Sequence, residues 1–369
     1  MNLSTLPQLW EQTVFWLSSH AVVPALSALH VLELSGNPDE IAEAMLLGLL
    51  QLCIIALIFR PLESLIPAEK WPDRKATWID IQYTLIILLG LLPLFTYLVL
   101  NPLIHFLGGG STATADTESQ PLINLVKLLP VLDGHPLLLF FVYYLIYDFV
   151  YYWMHRSQHL IPWFWALHSV HHSQRHVSCW TNDRDSYLAG LIEALILASV
   201  GLLIGVAPNE FALLMLLGEL VQNFSHANVR ISFGSFFEKV LVGPRYHRLH
   251  HMIVDPARPG LHNCNFSQAF PLWDILFGTA LYHEPPHPTG VCDPMVDIDN
   301  QYGLLGQQWQ AIRRFWGAVT CLAGWRPGDV AFRTDYVPMA SEHVDLFAMA
   351  RANSHMAAME SSHDQSGTT

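Results

Sequence analysis

The chain has 369 residues, of which 52% are hydrophobic and only 13% are charged; soluble domains usually carry about 25% charged residues, so the composition favours a lipid-embedded protein. The formal net charge of −13 argues against a nucleic-acid partner, because phosphate recognition needs clustered Lys and Arg. The five cysteines form no CxxC pair, which argues against a disulfide framework and a zinc ribbon.

Apolar runs of roughly 20 residues, long enough to cross a bilayer as helices, recur along the chain as far as Phe224. They predict four to five transmembrane or re-entrant helices at Ile41–Phe59, Ile79–Leu100, Leu137–Trp153, Leu188–Val206 and Phe211–Phe224. The short turn "APNE" between the last two indicates a helical hairpin. Thr13–Leu32 is a weaker run, interrupted by His20, Pro24 and His30, and it either spans the membrane or lies in its interface.

Basic residues predict which way these helices are oriented. Four of them lie between the first two strong runs (Arg60, Lys70, Arg74 and Lys75), whereas the loop 101–136 holds only Lys127. Because cytoplasmic loops carry the excess of Lys and Arg, the first loop and the histidine-rich segments are expected on the cytoplasmic side. We expect an integral membrane protein, of a bacterial inner membrane.

Histidine motifs follow the third apolar run. His155 and His159 form HxxxH, a spacing that places both rings on one helix face. An HxxHH box comes next and a second one occurs later in the chain, while a single histidine follows the last apolar run; the residues are His168, His171, His172, His247, His250, His251 and His226.

Clustered imidazoles suit transition metals such as Fe, Zn, Cu and Ni. A structural zinc ion uses four ligands, so nine motif histidines predict two ions. A metal transporter would place its ligands within the spans near the midplane, whereas these boxes follow the spans. "HEPPH" at 283–287 matches the HExxH protease pattern, but Pro285 and Pro286 prevent the helix that this motif needs.

The segments "DFVYYWMHRSQH", "WALHSVHHS", "HANVRISFG", "GPRYHRLHH" and "NFSQAFPLWDILFGT" resemble the fatty acid hydroxylase (sterol desaturase) superfamily of integral-membrane di-iron enzymes. The resemblance covers roughly residues 140–285. It implies two iron ions held by the nine motif histidines, with O2 as co-substrate and a lipid as the oxidised substrate. The implied activity is lipid hydroxylation, and a lipid or sterol desaturase with the same site is the alternative.

The resemblance also implies partners and neighbouring residues. A separate electron donor (a ferredoxin, cytochrome or reductase) is expected, because the chain has no GxGxxG after a strand and no HPGG-like haem motif. No side chain is predicted as a catalytic acid, base or nucleophile. His262 is a candidate tenth ligand beside "NFS", where many relatives have Asn-Tyr-Gly. Asp148 is a predicted hydrogen-bond acceptor for a ligand histidine, and Asn223 is a candidate for the same role or for an interhelical hydrogen bond. Asp274 either holds a box histidine or pairs with an arginine such as Arg245.

These inferences combine into an all-α membrane protein with a cytoplasmic, histidine-rich helical cap that holds a di-metal site. The predicted segments are membrane helices and loops at 1–135, a fatty acid hydroxylase-like catalytic domain at 136–290, a cytoplasmic or interfacial segment at 291–340 and a disordered tail at 341–369. Within the third segment, Trp309–Trp325 predicts either an interfacial amphipathic helix or an ordinary packing helix.

Overall fold

The computed structural model describes residues 6–32, 37–71, 74–95, 98, 122–206, 208–253, 263–284, 288–291 and 293–320. Within these ranges the chain is mostly helical and contains no strand, only two isolated bridges. The expected all-α class is therefore confirmed for the described residues. The predicted tail at 341–369 lies outside them, as do Pro285–His287 of the "HEPPH" segment.

The helices occur in two stretches of the chain. The first stretch contains α1 (Leu6–Leu17), α2 (Val23–Ala28), α3 (Pro38–Ile54), α4 (Arg60–Leu65), α5 (Lys75–Ile86), α6 (Leu92–Phe95) and α7 (Leu125–Leu128). The second contains α8 (Pro136–Leu160), α9 (Pro162–His172), α10 (Tyr187–Ile204), α11 (Pro208–His226), α12 (Gly234–Phe237), α13 (Pro244–His250), α14 (Leu272–Leu276), α15 (Pro294–Asp297) and α16 (Leu304–Thr320). π-Helical turns at Ser18–Val22, Ile55–Phe59 and Ile87–Leu91 join α1 to α2, α3 to α4 and α5 to α6.

Three of the described helices are long and apolar enough to cross a membrane: Pro38–Leu65, Pro136–Leu160 and Tyr187–Ile204. The first two contain the predicted runs 41–59 and 137–153, and the third overlaps the predicted run 188–206 as far as Ile204. Apolar helices of roughly 20 residues match the hydrocarbon thickness of a bilayer. The run at 79–100 is helical from Lys75 to Phe95, and the run at 211–224 lies within α11. The predicted total of four to five spans stays a prediction.

The chain divides into two compact units, each built from separate stretches of sequence. The first unit comprises residues 1–56, 84–147 and 191–217. Its described core contains Val22, Leu26, Ile41 and Ala42. Helix α3 approaches the π-turn after α5 closely at Gly48, where a Cβ atom would lie 2.8 Å from the Leu88 carbonyl oxygen. The four-segment division expected from sequence stays a prediction.

The second unit comprises residues 57–83, 148–190 and 218–369, and it contains every motif histidine. Helix α16 packs against α9 through a core of Leu304, Ala311, Val170 and Tyr83. One Glu63 carboxylate oxygen accepts the backbone N–H groups of both Cys179 (2.8 Å) and Asn228 (2.9 Å). This oxygen ties the chain that follows α9 to the chain that follows α11, so it supports two of the histidine-bearing segments.

Helix α16 has a packed face and an exposed apolar face. Ala311 and Arg314 are buried, and the Arg314 guanidinium pairs with Asp299 at 2.7 Å. Leu305, Trp309 and Trp316 are exposed. Residues 304–320 therefore form an amphipathic helix that packs along one face. The choice between an interfacial helix and an ordinary packing helix stays a prediction.

Candidate metal centre

Four helices bring the nine motif histidines together in the second unit. The last two turns of α8 carry His155 and His159, and α9 carries the first HxxHH box. Helix α11 ends at His226, and α13 with the residue after it carries the second box. All nine side chains are buried. Buried polar rings of this number need partners, so their mutual arrangement indicates what they bind.

The nine rings form two groups, and within each group the potential ligand atoms lie within 4.8 Å of one another. The first group contains His155, His159, His168, His172 and His250, and the second contains His171, His226, His247 and His251. Each HxxHH box serves both groups. In each box the outer pair, spaced i and i+4, points to one group and the ring between them points to the other, because a helix turns 100° per residue.

In the first group, the Nδ1 atoms of His155, His168 and His250 contact oxygen atoms outside the group, and their Nε2 atoms point into the group. The Nδ1 atoms of His155 and His250 contact the carbonyl oxygens of Phe266 (2.8 Å) and Cys264 (2.7 Å). A carbonyl only accepts, so Nδ1 carries the proton and Nε2 carries a lone pair. The Nε2 atoms of all five rings are buried and make no hydrogen bond. Five inward, unpaired nitrogens are costly to bury unless a cation binds them.

In the second group, Nε2 lone pairs face each other directly. His171 Nδ1 contacts the Arg184 carbonyl oxygen at 3.2 Å, and His226 Nδ1 contacts the Gln222 carbonyl oxygen at 2.7 Å. Both Nε2 atoms therefore carry lone pairs, yet they lie only 3.1 Å apart. Two lone pairs cannot form a hydrogen bond, and a cation between them removes the repulsion.

Electrostatics keeps these rings in the form that binds metal. Burial lowers the pKa of His168 to about 3. Burial, together with the repulsion that neighbouring rings would exert once protonated, also lowers the pKa well below the usual range at His171, His172, His247, His250 and His251. At neutral pH these imidazoles are uncharged, which is the state required for ligation. The residues therefore fit a pair of transition-metal ions with imidazole ligands.

Within the described residues, Asp148 and Asp274 make no hydrogen bond to a histidine, so the prediction that they accept from the nine motif histidines is wrong. Asp148 accepts from the Ala269 and Phe270 N–H groups (2.8 and 3.2 Å) and from the Trp273 indole (3.0 Å). Asp274 accepts from the backbone N–H groups of residues 266 and 267 and from the Thr279 hydroxyl. Both carboxylates instead accept backbone N–H groups of the segment whose carbonyls hold His155 and His250, so they stabilise the fold of that segment.

Two further predicted residues have other outcomes. Asn223 donates its side-chain N–H to the Cys179 carbonyl oxygen at 3.2 Å, and its role as an acceptor for a histidine stays a prediction. His262, the candidate tenth ligand, lies outside the described residues. Cys264 contributes its backbone carbonyl to His250, and its thiol contacts the Leu249 carbonyl oxygen at 3.7 Å.

The carboxylate that does contact a ligand ring is Asp185, which sequence reasoning missed. Its Oδ2 atom lies 3.0 Å from His168 Nδ1, and its Oδ1 atom accepts the Ser186 N–H at 2.6 Å. A carboxylate hydrogen-bonded to a ligand imidazole fixes the orientation of the ring and makes it a stronger electron-pair donor to the metal. A sequence signal was present in "TNDRDS" at 181–186, an acid-containing segment that begins nine residues after the first HxxHH box.

Asp185→Asn is expected to weaken metal retention in the first group, tested with iron, by about tenfold or more. The amide keeps the size of the side chain but removes the negative charge behind His168. Iron retained against a graded chelator series, measured by elemental analysis, checks this. Retention equal to wild type across the series would rule out the role.

Asp148→Asn provides the matched comparison, because it removes a buried carboxylate that hydrogen-bonds to none of the nine grouped histidines. One N–H donor of the 269–273 segment then faces an amide N–H, at a cost of about 1–3 kcal/mol. We expect a lower melting temperature with iron retention closer to wild type than in Asp185→Asn. A greater iron loss than in Asp185→Asn would mean that the 264–266 carbonyls, rather than Asp185, dominate ligand placement.

Comparisons with known proteins match the same part of the chain. Residues 140–279, which include all nine grouped histidines, match the fatty acid hydroxylase family model. Alkylglycerol monooxygenases from Danio rerio and Homo sapiens are each 27% identical over 190 and 195 residues, which cover 49% of this chain and 41% of either relative. A Delta(7)-sterol 5(6)-desaturase from Aspergillus fumigatus is 26% identical over 186 residues, 44% of this chain and 54% of the relative.

The resemblance inferred from the histidine boxes is thereby confirmed. The aligned part spans about half or less of the length of these curated relatives. No solved structure matches this chain.

Proposed function

We propose that this protein is a membrane-bound di-iron oxygenase that hydroxylates a C–H bond of a lipid with O2 and externally supplied electrons. The observation that carries the proposal is the pair of buried imidazole groups with unpaired, converging Nε2 atoms. The match of the same segment to the fatty acid hydroxylase family supports the enzyme class. Similarity to proteins named alkylglycerol monooxygenase supports a lipid substrate.

Iron is the proposed metal because the family is one of iron-dependent oxygenases, and imidazole ligands suit it. An iron pair supplies the oxidising chemistry when bound, whereas the chain supplies ligands, orientation and exclusion of water. The Phe266 ring contacts three rings of the first group, with centroids 5.7 Å from His155, 5.2 Å from His159 and 5.6 Å from His250. This apolar ring shields the first group from water.

The substrate class follows from the relatives and from the location of the ligands. His155 and His159 lie in the last two turns of a candidate span, and this location supports a lipid as the substrate. We take an alkylglycerol as the first lipid to test. The sterol desaturase relative supports the alternative, in which the same centre removes two hydrogens from a lipid or sterol.

The proposal also includes the source of the electrons and the location of the site in the cell. A separate ferredoxin, cytochrome or reductase supplies the electrons. The concentration of Lys and Arg in the 60–75 loop and after residue 155 supports a cytoplasmic location for the histidine groups. A bacterial inner membrane is the proposed compartment.

The test is lipid mass spectrometry on matched cells with and without this protein, grown under labelled oxygen with alkylglycerols supplied. A product that carries one labelled oxygen atom supports hydroxylation and identifies the substrate. A lipid that lacks two hydrogens and carries no label supports the desaturase alternative. Unchanged lipids in cells that contain the iron-loaded protein and a competent electron donor would contradict both.

A further inference from the structure

Two short segments of the second unit expose large apolar side chains at the protein surface. In and after α12, Phe236 and Phe237 are 69% and 59% exposed, and Leu241 is also exposed. In and after α14, Leu276 is 62% exposed and Phe277 is 40% exposed. Scattered apolar residues are normal at protein surfaces, whereas concentrated patches mark interaction sites.

The second segment is continuous with a candidate membrane span. Phe277 packs edge-on against Trp153 of α8, with ring centroids 4.9 Å apart, and stacks on Tyr152 at 5.4 Å. Trp153 is itself 40% exposed. Tryptophan is enriched where a spanning helix leaves the bilayer, so the exposed side chains of α14 lie beside the expected membrane boundary.

The first segment is tied to the second through the backbone. The Val242 N–H donates to the Ala269 carbonyl oxygen at 2.8 Å, one residue after exposed Leu241 and three residues before α14. Asp148 of α8 holds the Ala269 N–H from the other side. The residues after α12 are therefore hydrogen-bonded to the segment that leads into α14, which in turn packs on the end of α8. We group the exposed apolar side chains of these three elements as the apolar surface: Trp153, Phe236, Phe237, Leu241, Leu276 and Phe277.

The charge around the apolar surface is opposite to that of the chain as a whole. Residues 229–248 contain Arg230, Lys239, Arg245 and Arg248 but one acid, Glu238, within a protein of net charge −13. Glu238 is buried and accepts from the Ser232 hydroxyl at 2.7 Å. Arg230, Lys239 and Arg245 are exposed. Aromatic and aliphatic side chains flanked by cations are typical of segments that lie in the interface of an anionic leaflet.

We propose that the apolar surface inserts into the headgroup–acyl boundary of a membrane leaflet, with Arg230, Lys239 and Arg245 contacting anionic lipid headgroups. This inference goes beyond the proposed function. It places a lipid-contacting surface two aromatic layers from the ligands, because Tyr152 contacts Phe277 on one side and Phe266 on the other.

The test uses spin labels in the full-length protein reconstituted into vesicles of phosphatidylcholine and phosphatidylserine. Cys53, Cys292 and Cys321 are replaced by Ser, and labels are attached to Phe237→Cys, Leu276→Cys and, as a matched exposed control, His283→Cys. Collisions with O2, which concentrates in lipid, are compared with collisions with a water-soluble nickel chelate. We expect O2 accessibility to exceed nickel accessibility at 237 and 276, and the reverse at 283.

A second variant isolates the headgroup contact. Lys239→Gln with Arg245→Gln, in the Phe237→Cys background, is expected to lower the O2-to-nickel accessibility ratio at 237, because the cations no longer hold the segment against anionic lipid. Nickel-dominated accessibility at both 237 and 276 in the parent would overturn the proposal. Protection that develops only when an acidic electron-donor protein is added would also overturn it and assign the surface to protein docking. Neither readout depends on enzyme activity.

Discussion

Product formation is expected to be lost in His171→Ala, with bound iron falling from two ions per chain to one. His171 is one of four rings in the second group, and the substitution leaves three imidazoles there. The first group keeps its five ligands, so its ion is retained. Elemental analysis of the purified protein, with product measured in the same preparation, checks both parts.

His176→Ala is the matched control, because it removes a histidine four residues after the first box that belongs to neither group. His176 stacks on Trp71, with ring centroids 5.1 Å apart. We expect full iron content and activity in this variant. Two irons and full activity in His171→Ala would contradict the assignment of the second group.

Arg184→Met is expected to have the largest effect on stability, about 3–5 kcal/mol, because it leaves a buried carboxylate without its counter-charge. Arg184 is fully buried and bonds to Asp80 at 3.1 Å, to the Val170 carbonyl oxygen at 3.1 Å and to the Ser173 hydroxyl at 2.8 Å. Its backbone carbonyl also accepts from His171, so iron in the second group should be held less tightly. Thermal unfolding in detergent, followed with iron release, measures both effects.

Two further variants test whether the stability loss comes from the buried ion pair. Arg184→Met combined with Asp80→Asn should regain part of the lost stability, because the second change removes the uncompensated charge. Arg313→Met removes an exposed arginine on α16 and should change the melting temperature little. A melting temperature in Arg184→Met equal to that of Arg313→Met would contradict the structural role of the buried pair.

Spacing along the chain predicted that the box histidines gather, because HxxxH and the outer pair of HxxHH place rings on one helix face whatever the tertiary context. The division of these nine histidines into a group of five and a group of four could not be predicted from the sequence. His250 joins His155 while His247 and His251 join His226, and this depends on how α13 crosses α8 and α11. A local sequence pattern does not predict how helices that are distant in the chain cross one another.

The residues behind the ligands were harder to predict than the ligands. Asp148 was assigned to a histidine because it lies two turns before His155 on the same face, but its carboxylate accepts from the backbone N–H groups of residues 269 and 270 and from the Trp273 indole. Four of the Nδ1 partners are backbone carbonyls, and every residue has one, so composition carries no signal for them. Asp185 had a signal, but an acid in a turn is more often a solvated residue.

Hydropathy predicted the spans where the apolar run is long and uninterrupted, as in Pro38–Leu65 and Tyr187–Ile204. It predicted α16 only as two alternatives, since exposed Trp309 and Trp316 fit an interface while buried Ala311 and Arg314 fit packing. Both sets occur on one helix, on opposite faces. A sequence pattern shows that a helix is amphipathic but not what covers its apolar residues.

The most direct test of the two-ion centre is the iron content of the purified wild-type protein produced with iron-57, with its Mössbauer spectrum. Two irons per chain are expected, in inequivalent environments, because one group offers five imidazoles and the other four. A single iron per folded chain, in protein shown to be fully loaded and active, would contradict a pair of ions held by these nine histidines.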